Sequence, residues 1–232
     1  MTTTTVIIPA LNEEKTIGKV VGDFLRCVPE AKVVVCDNAS SDRTRELALK
    51  AGAAVISEPR QGKGYALNTA LKSLESDLYI IVDGDDTYYA EDAGKLLKPV
   101  SDGVCDMAVG VRLMALTDGS VNILRFIGNK GICALFNTIH GGGFRDILSG
   151  YRALNSSLVK KLKLRCGGFE VESEITLKAL TNNARVIEVP IPYKRRTRGS
   201  TSNLNIFRDG WKITRAILSY SPVRRQRPKA GF

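Results

Sequence analysis

Little in this 232-residue chain suits a membrane span, a disulfide framework or a histidine-centred catalyst. No apolar run approaches the roughly 20 residues needed to cross a bilayer. The opening MTTTTVIIP passes straight into a strand with no basic region or cleavage site, so a cytoplasmic protein is expected. The five cysteines (27, 36, 105, 133 and 166) are odd in number, scattered and without a C-x-x-C pair. That argues against both stapling disulfides and a structural zinc site, and leaves reduced, structural thiols. His140 is the sole histidine and reads as a helix-end or loop residue.

What is present is a core and an uneven charge. Hydrophobic residues make up 44% of the chain, enough for one large domain, and a tail is expected to follow it. The net charge of +10 is carried entirely by residues 193–232, which hold eleven Lys or Arg against one acid, Asp209, while the preceding part balances 23 bases with 23 acids. A basic terminal region serves as a solvated face, a nucleic-acid patch or a surface for anionic lipid.

The most informative stretch is DLYIIVDGDDTYY at 77–89. Residues 78–82 form a short apolar run of the kind that makes a strand covered on both faces. Asp83, Asp85 and Asp86 follow it at once, where open α/β sheets place their ligands. Crowded carboxylates call for a cation, so the pattern predicts a metal site.

Around this stretch, strands alternate with helices. Strands are expected at 5–9, 32–36 and 53–57, and Ile17, Val20, Val21, Phe24 and Leu25 keep helical spacing, with Asn12 as the cap and Glu13 and Glu14 at the positive helix start. Asp37 ends the second strand, and Ser41 or Asp42 caps the next helix. QGKG at 61–64 precedes a helix bearing Leu67, Ala70, Leu71 and Leu74, yet matches neither the P-loop nor the dinucleotide fingerprint. Leu96 and Leu97 mark another helix, and 106–111 a strand ending at Arg112. The spacing predicts an α/β fold with a doubly wound, mostly parallel sheet flanked by helices.

Downstream, Ile123 to Ile139 carry a wide apolar helical stripe, read either as core or as a face for a lipid chain. Gly141, Gly142 and Gly143 read as a loop, 144–155 as a loop and strand, 171–180 as a helix with Glu172 near its start, and 185–189 as a last strand. Residues 193–203 are basic and hydroxyl-rich, suited to folding over a phosphorylated ligand. Residues 206–220 form an amphipathic helix with Phe207, Trp211, Ile213, Ile217 and Leu218 apolar, which either packs on the domain or lies at a membrane surface. The division expected is a catalytic domain over 1–205 and a basic helix and tail over 206–232.

VIIPALNEE, VVVCDNASSDRT and DGDD, in this order, resemble glycosyltransferase family 2 with its GT-A fold; DILSGYRALN and RTRGSTSNLNIFRDGW resemble the polyprenyl-phosphate sugar transferases, such as dolichol-phosphate mannose synthases, within it. The resemblance covers nearly the whole chain. It implies that Asp37 accepts a hydrogen bond from a nucleobase, with Pro9, Ala10, Asn12, Glu13 and Asn38 shaping the donor pocket. It also implies that Asp83 and Gly84 lie by the ribose and metal, and that Asp85 is the principal Mg²⁺ or Mn²⁺ ligand with Asp83 second. Lys63 is a nucleotide-side cation, and Arg112, Arg152, Arg196, Arg198 and Ser200 are candidates for donor or acceptor phosphates.

The implied reaction moves a sugar from a UDP- or GDP-linked donor to a polyprenyl phosphate, by in-line displacement with inversion, at the inner face of the membrane. A phosphate acceptor, ionised near pH ~6, needs no strong base. A sugar hydroxyl would need one, for which Asp146 and then Glu172 are the candidates. Two residues depart from the pattern: Asn203 replaces a lysine, with Arg198 as a substitute, and Thr87 replaces a glutamine, which opens the donor preference. Membrane access would rest on the basic tail, the two apolar helices or a membrane partner protein. The alternatives are the same donor chemistry on a saccharide or small-molecule hydroxyl, and a non-catalytic module in which the basic tail binds nucleic acid or lipid; nucleic acid is not the expected partner.

Overall fold

The structure, a computed structural model, describes residues 2–113, 123–196 and 206–222. In chain order the elements are β1 (Thr4–Ala10), α1 (Ile17–Cys27), β2 (Ala31–Asp37), α2 (Thr44–Lys50), β3 (Ala54–Ser57), α3 (Lys63–Ser73) and β4 (Leu78–Ile81). A one-turn 3₁₀ helix (Ala90–Asp92) leads into α4 (Ala93–Ser101), β5 (Met107–Leu113), α5 (Ile123–His140), β6 (Arg152–Asn155), α6 (Ser156–Leu162), α7 (Val171–Thr181), β7 (Val186–Pro192) and α8 (Ile206–Ser219).

The strands form one seven-stranded sheet in the order β3-β2-β1-β4-β6-β5-β7. Pairing is parallel except where β6 runs antiparallel to both β4 and β5. Strand alternation divides the core between the two faces. Val6 and Ile8 of β1 and Leu78 and Ile80 of β4 join Val20, Val21 and Phe24 of α1 and Leu96 of α4 on one side. Ile7, Tyr79 and Ile81 meet Leu67 of α3, Leu158 of α6 and Ile175 of α7 on the other. This is the period-2 burial of a sheet covered on both faces. Each such fully buried aliphatic side chain contributes roughly 1.5–3 kcal/mol.

A third cluster joins Phe136 of α5, Leu177 of α7 and Ile213 and Ile217 of α8. The apolar face of α8 is therefore docked on the domain, while Trp211 and Leu218 remain 67% and 58% exposed. His140 closes α5 from a buried position, its Nε2 2.9 Å from the Ile217 carbonyl oxygen.

Local details differ from expectation in three places, the first being that Arg43, not Ser41 or Asp42, occupies the cap position of α2, with Asp42 accepting from Thr44 N–H at 2.9 Å. Asn12 does not cap α1: Thr16 occupies that position. Asn12 instead adopts φ 58° and accepts a 2.8 Å hydrogen bond from the Ser41 N–H, tying the turn after β1 to the loop after β2. Helix α6 was not foreseen. Its seven residues are capped by Asn155, whose side chain accepts from the Leu158 N–H, and bury only Leu158 and Leu162. Two apolar contacts leave too short a period to read.

Candidate active site

The sheet order reverses beside β1, whose neighbours are β2 and β4, and such a switch point opens a crevice at the carboxyl ends of the strands. Register brings Ala10 opposite Asp37, and Asp37 opposite Ser57. The turn after β1 is latched to the 40–44 loop: Asn12 N–H donates to Ser40 (3.1 Å), Glu13 N–H to Thr44 (2.8 Å) and Glu14 N–H to Asp42 (3.1 Å).

One cleft of about 130 Å³ is lined by Pro9, Ala10, Leu11, Glu13, Asn38, Gly62, Lys63, Asp83, Gly84, Asp85, Phe169 and Arg196. Nine of the expected donor-site residues meet there. A larger cavity of about 570 Å³ lies at the opposite ends of the strands, beside Thr3 and Asp77, away from the acid cluster.

Asp85 is 3% exposed. Its Oδ1 accepts from the Thr87 hydroxyl (2.6 Å) and N–H (3.2 Å), and its Oδ2 faces Arg196. Burial, reinforced by repulsion from Asp83, pushes the Asp85 carboxyl above its ordinary range. Thr87, 1% exposed, thus orients the acid through its hydroxyl, and its carbonyl accepts from Lys194 N–H at 2.8 Å. Asp86, at φ 57°, holds the turn through ion pairs with Lys19 (2.8 Å) and Lys194 (2.9 Å).

Asp83 and Glu172 both pair with Lys63. Burial disfavours the ammonium, but the two carboxylates outweigh it and raise the Lys63 pKa; burial also raises that of Glu172. Gly150 of the ILSGY stretch sits against Asp83: a Cβ there would lie 2.5 Å from its Oδ2. This glycine escaped the sequence reading, because its need is set by a close approach from a distant segment.

The QGKG motif has a similar reason. Added Cβ atoms at Gly62 and Gly64 would lie 2.2 Å from Gly167 O and 2.0 Å from Cys166 O, and Gly64 N–H donates to Gly167 O at 3.0 Å. Asn38 braces the same loop, accepting from Gly62 N–H (2.6 Å) and donating to Arg60 O (2.6 Å). Asp37 is 7% exposed and accepts from Ser40 N–H at 3.2 Å.

Three expected site residues are placed differently. Arg152 is fully buried and donates to Ser149 O (2.9 Å), Ile147 O (2.6 Å) and Thr176 Oγ1 (2.8 Å), so it braces the fold and does not reach a phosphate. Arg112 is clamped bidentately on Asp146 at 2.7 and 2.8 Å. Asp146 also accepts from Asn129 (3.1 Å), and although burial opposes its charge, Arg112 holds its carboxyl below the usual range, which suits a counter-ion better than a proton acceptor. Arg198 and Ser200 lie outside the described residues.

The donor chemistry of the cleft fits a Mg²⁺ or Mn²⁺ ion. Asp83 and Asp85 offer hard carboxylate oxygens, and Asp85 is a buried acid whose ionised form needs a neighbouring cation. No cluster of three or more His, Cys, Asp or Glu able to hold a metal exists among the described residues, so oxygens of a bound ligand would have to share the coordination, as is usual for Mg²⁺.

Comparison with known proteins fits this geometry. The chain is 38% identical over 206 residues to the glycosyltransferase AglJ of Haloferax volcanii, covering 88% of this chain and 67% of that relative. It is 31% identical over 215 residues to a dolichyl-phosphate hexose transferase of the same organism, covering 92% and 91%. Its fold matches the GT-A structure of glucosyl-3-phosphoglycerate synthase from Mycobacterium tuberculosis, solved with Mn²⁺ and UDP-glucose, at a TM-score of 0.72 and 22% identity, covering 94% and 77%. The model of glycosyl transferase family 2 matches residues 5–162, and this chain belongs to that family of enzymes.

Proposed function

We propose that the chain is a metal-dependent, inverting transferase that moves a sugar from a UDP- or GDP-sugar to a polyprenyl phosphate at the cytoplasmic face of a membrane. The observation that carries this reading is the convergence of Asp83, Asp85, Lys63, Asn38 and Arg196 on one cleft at the switch point of the sheet. The lipid acceptor draws support from the relative named as a dolichyl-phosphate hexose transferase.

In this mechanism Asp37 accepts from the nucleobase, while Pro9, Ala10 and Glu13 wall the nucleoside. Asp85, with its rotamer held by Thr87, and Asp83 hold the divalent cation. When bound, that cation supplies Lewis-acid stabilisation of charge on the departing diphosphate. Lys63 places an ammonium beside the same charge. Arg196, with Arg198 and Ser200, binds phosphate oxygens of the acceptor, whose own dianion attacks the anomeric carbon from the face opposite the leaving group. No protein base is required, which accords with Asp146 being committed to Arg112. Were the acceptor a hydroxyl, Glu172, with its raised pKa and its place beside Lys63, would be the stronger base.

The membrane surface is met by the face of α8 that carries exposed Trp211 and Leu218 with Arg208, Lys212 and Arg215 around them. An aromatic and an aliphatic group among cations suit an anionic lipid interface. The deciding assay offers undecaprenyl or dolichyl phosphate and free saccharides to the chain with a panel of UDP- and GDP-sugars, with and without EDTA. A lipid-linked product that disappears with EDTA is expected. Transfer to saccharide alone, or no lipid-linked product with any donor, overturns the reading.

A further inference from the structure

Phe169 lines the cleft from a loop that carries none of the motif residues. Its half-buried ring shares the cleft wall with Lys63, Asp83 and Arg196. Three residues further on, Glu172 reaches Lys63 from the first turn of α7, so this loop borders the charged end of the cleft. Asp37, the base-facing acid in the proposed function, ends β2 and is not among the residues that line this cleft.

The loop is held rigidly. Glu174, fully buried in α7, accepts from the N–H groups of Arg165 (2.9 Å) and Cys166 (2.8 Å), pairs with Lys178 (2.9 Å) and receives the Tyr220 hydroxyl (3.3 Å). On its other side, the loop presses its backbone onto Gly62 and Gly64. Next to Phe169, Glu170 has one carboxylate oxygen, Oε2, buried and without a hydrogen-bond partner. Glu170 itself does not line the cleft.

We infer that this loop forms the subsite for the transferred sugar, with the Phe169 ring stacking on the C–H face of a hexose. Glu174 is the positioning residue that sets the loop. An aromatic ring in a cleft wall matches the apolar C–H face that a pyranose presents. The inference rests on the nucleotide-sugar donor of the proposed function.

The test is calorimetry on the full chain with Mn²⁺ and two probe pairs, UDP with UDP-glucose and GDP with GDP-mannose. For the pair that the wild-type chain binds, Phe169→Ala should leave the nucleoside diphosphate within about twofold and weaken the nucleotide sugar by about three- to tenfold, as expected for loss of one aromatic contact. Phe169→Tyr should restore the difference. Glu174→Gln should lose the same preference for the sugar-bearing nucleotide, and adding it to Phe169→Ala should weaken sugar binding no further. Equal loss of diphosphate and sugar nucleotide in Phe169→Ala would put the ring on the base and overturn the inference, as would no loss of either. A wild-type chain that binds none of the four probes overturns the donor reading itself, and this subsite with it.

Discussion

The two halves of the sheet use their charged residues differently. In the first, β3-β2-β1-β4, the ionisable side chains beyond the strand ends converge on the cleft: Lys63, Asp83 and Asp85 line it, and Glu172 reaches them from α7. In the second, β6-β5-β7, charged groups of the same types are engaged with each other or with backbone. Arg112 is clamped on Asp146, Arg145 on Glu188, Arg185 on Asp106, and Arg152 on two carbonyls and a threonine. An arginine in a motif-like segment is therefore not by itself a phosphate ligand. In the first half Asp83 and Glu172 share one cation, Lys63, while Asp85 faces Arg196, a crowding of charge that suits the proposed chemistry; the second holds the antiparallel strand and the helices in place.

Asp85→Asn is the largest expected break in that contrast. With the proposed metal ligand removed, sugar transfer should fall by about 10²–10³-fold or more, by analogy with losing one stabilising group at a developing charge. Stability should hold or rise, because the substitution removes a buried charge that Asp83 repels. A transfer assay beside a thermal melt reads both. A protein that melts several degrees lower with transfer intact would place Asp85 in the framework.

Arg152→Ala reverses the pattern. Its loss leaves Ser149 O, Ile147 O and Thr176 Oγ1 without their shared donor in a fully buried site, at roughly 1–3 kcal/mol for each buried group left unmet. A loss of about 3 kcal/mol in denaturant unfolding is expected, with nucleotide affinity of the folded fraction unchanged. Weakened nucleotide binding at unchanged stability would return Arg152 to the site. A smaller effect belongs to α8. Trp211→Ser with Leu218→Ser should reduce sedimentation with anionic vesicles several-fold and leave the melt unaltered, since both side chains are exposed. Deleting 206–232 is a poorer test, because it would uncover the contacts of Ile213 and Ile217.

The same contrast explains how much was legible in the amino-acid sequence. The strands of the first half announce themselves through runs such as VIIP, VVVC and YIIV, and their ends carry the acids, so both the fold and the cleft at the switch point follow from local pattern. Lys63 was placed by its neighbouring glycines, though their reason, contact with Cys166 and Gly167, is a long-range one. Phe169 and Glu174 lie in or beside RCGGFE, a stretch with no period and no familiar spacing, and their placement arises only from packing, with the loop backbone against 62–64 and Glu174 holding the Arg165 and Cys166 N–H groups. That Arg112 and Arg152 are engaged inside the fold is not legible, because burial and partner, which decide what a guanidinium does, are tertiary properties.

The mildest test concerns Glu58, just beyond β3 in the first half, where a carboxylate does structural work beside the cleft. Its oxygens accept from Arg60 Nε (2.8 Å) and Nη2 (2.9 Å) and from the Thr69 hydroxyl, bracing the approach to the 61–64 turn. Arg60 and Thr69 lower its pKa from 4.5 to about 2. Because the folded value lies below the unfolded one, the unfolded state takes up the proton first as pH falls. The stability this group contributes is thus fully present above pH 4.5 and is lost progressively down to about pH 2. Melts of wild type and Glu58→Gln across that window should differ most at neutral pH and converge toward its acid end. A difference that stays constant with pH would mean that the carboxylate acts through shape alone, and that its charge has no part in holding Arg60 against the loop.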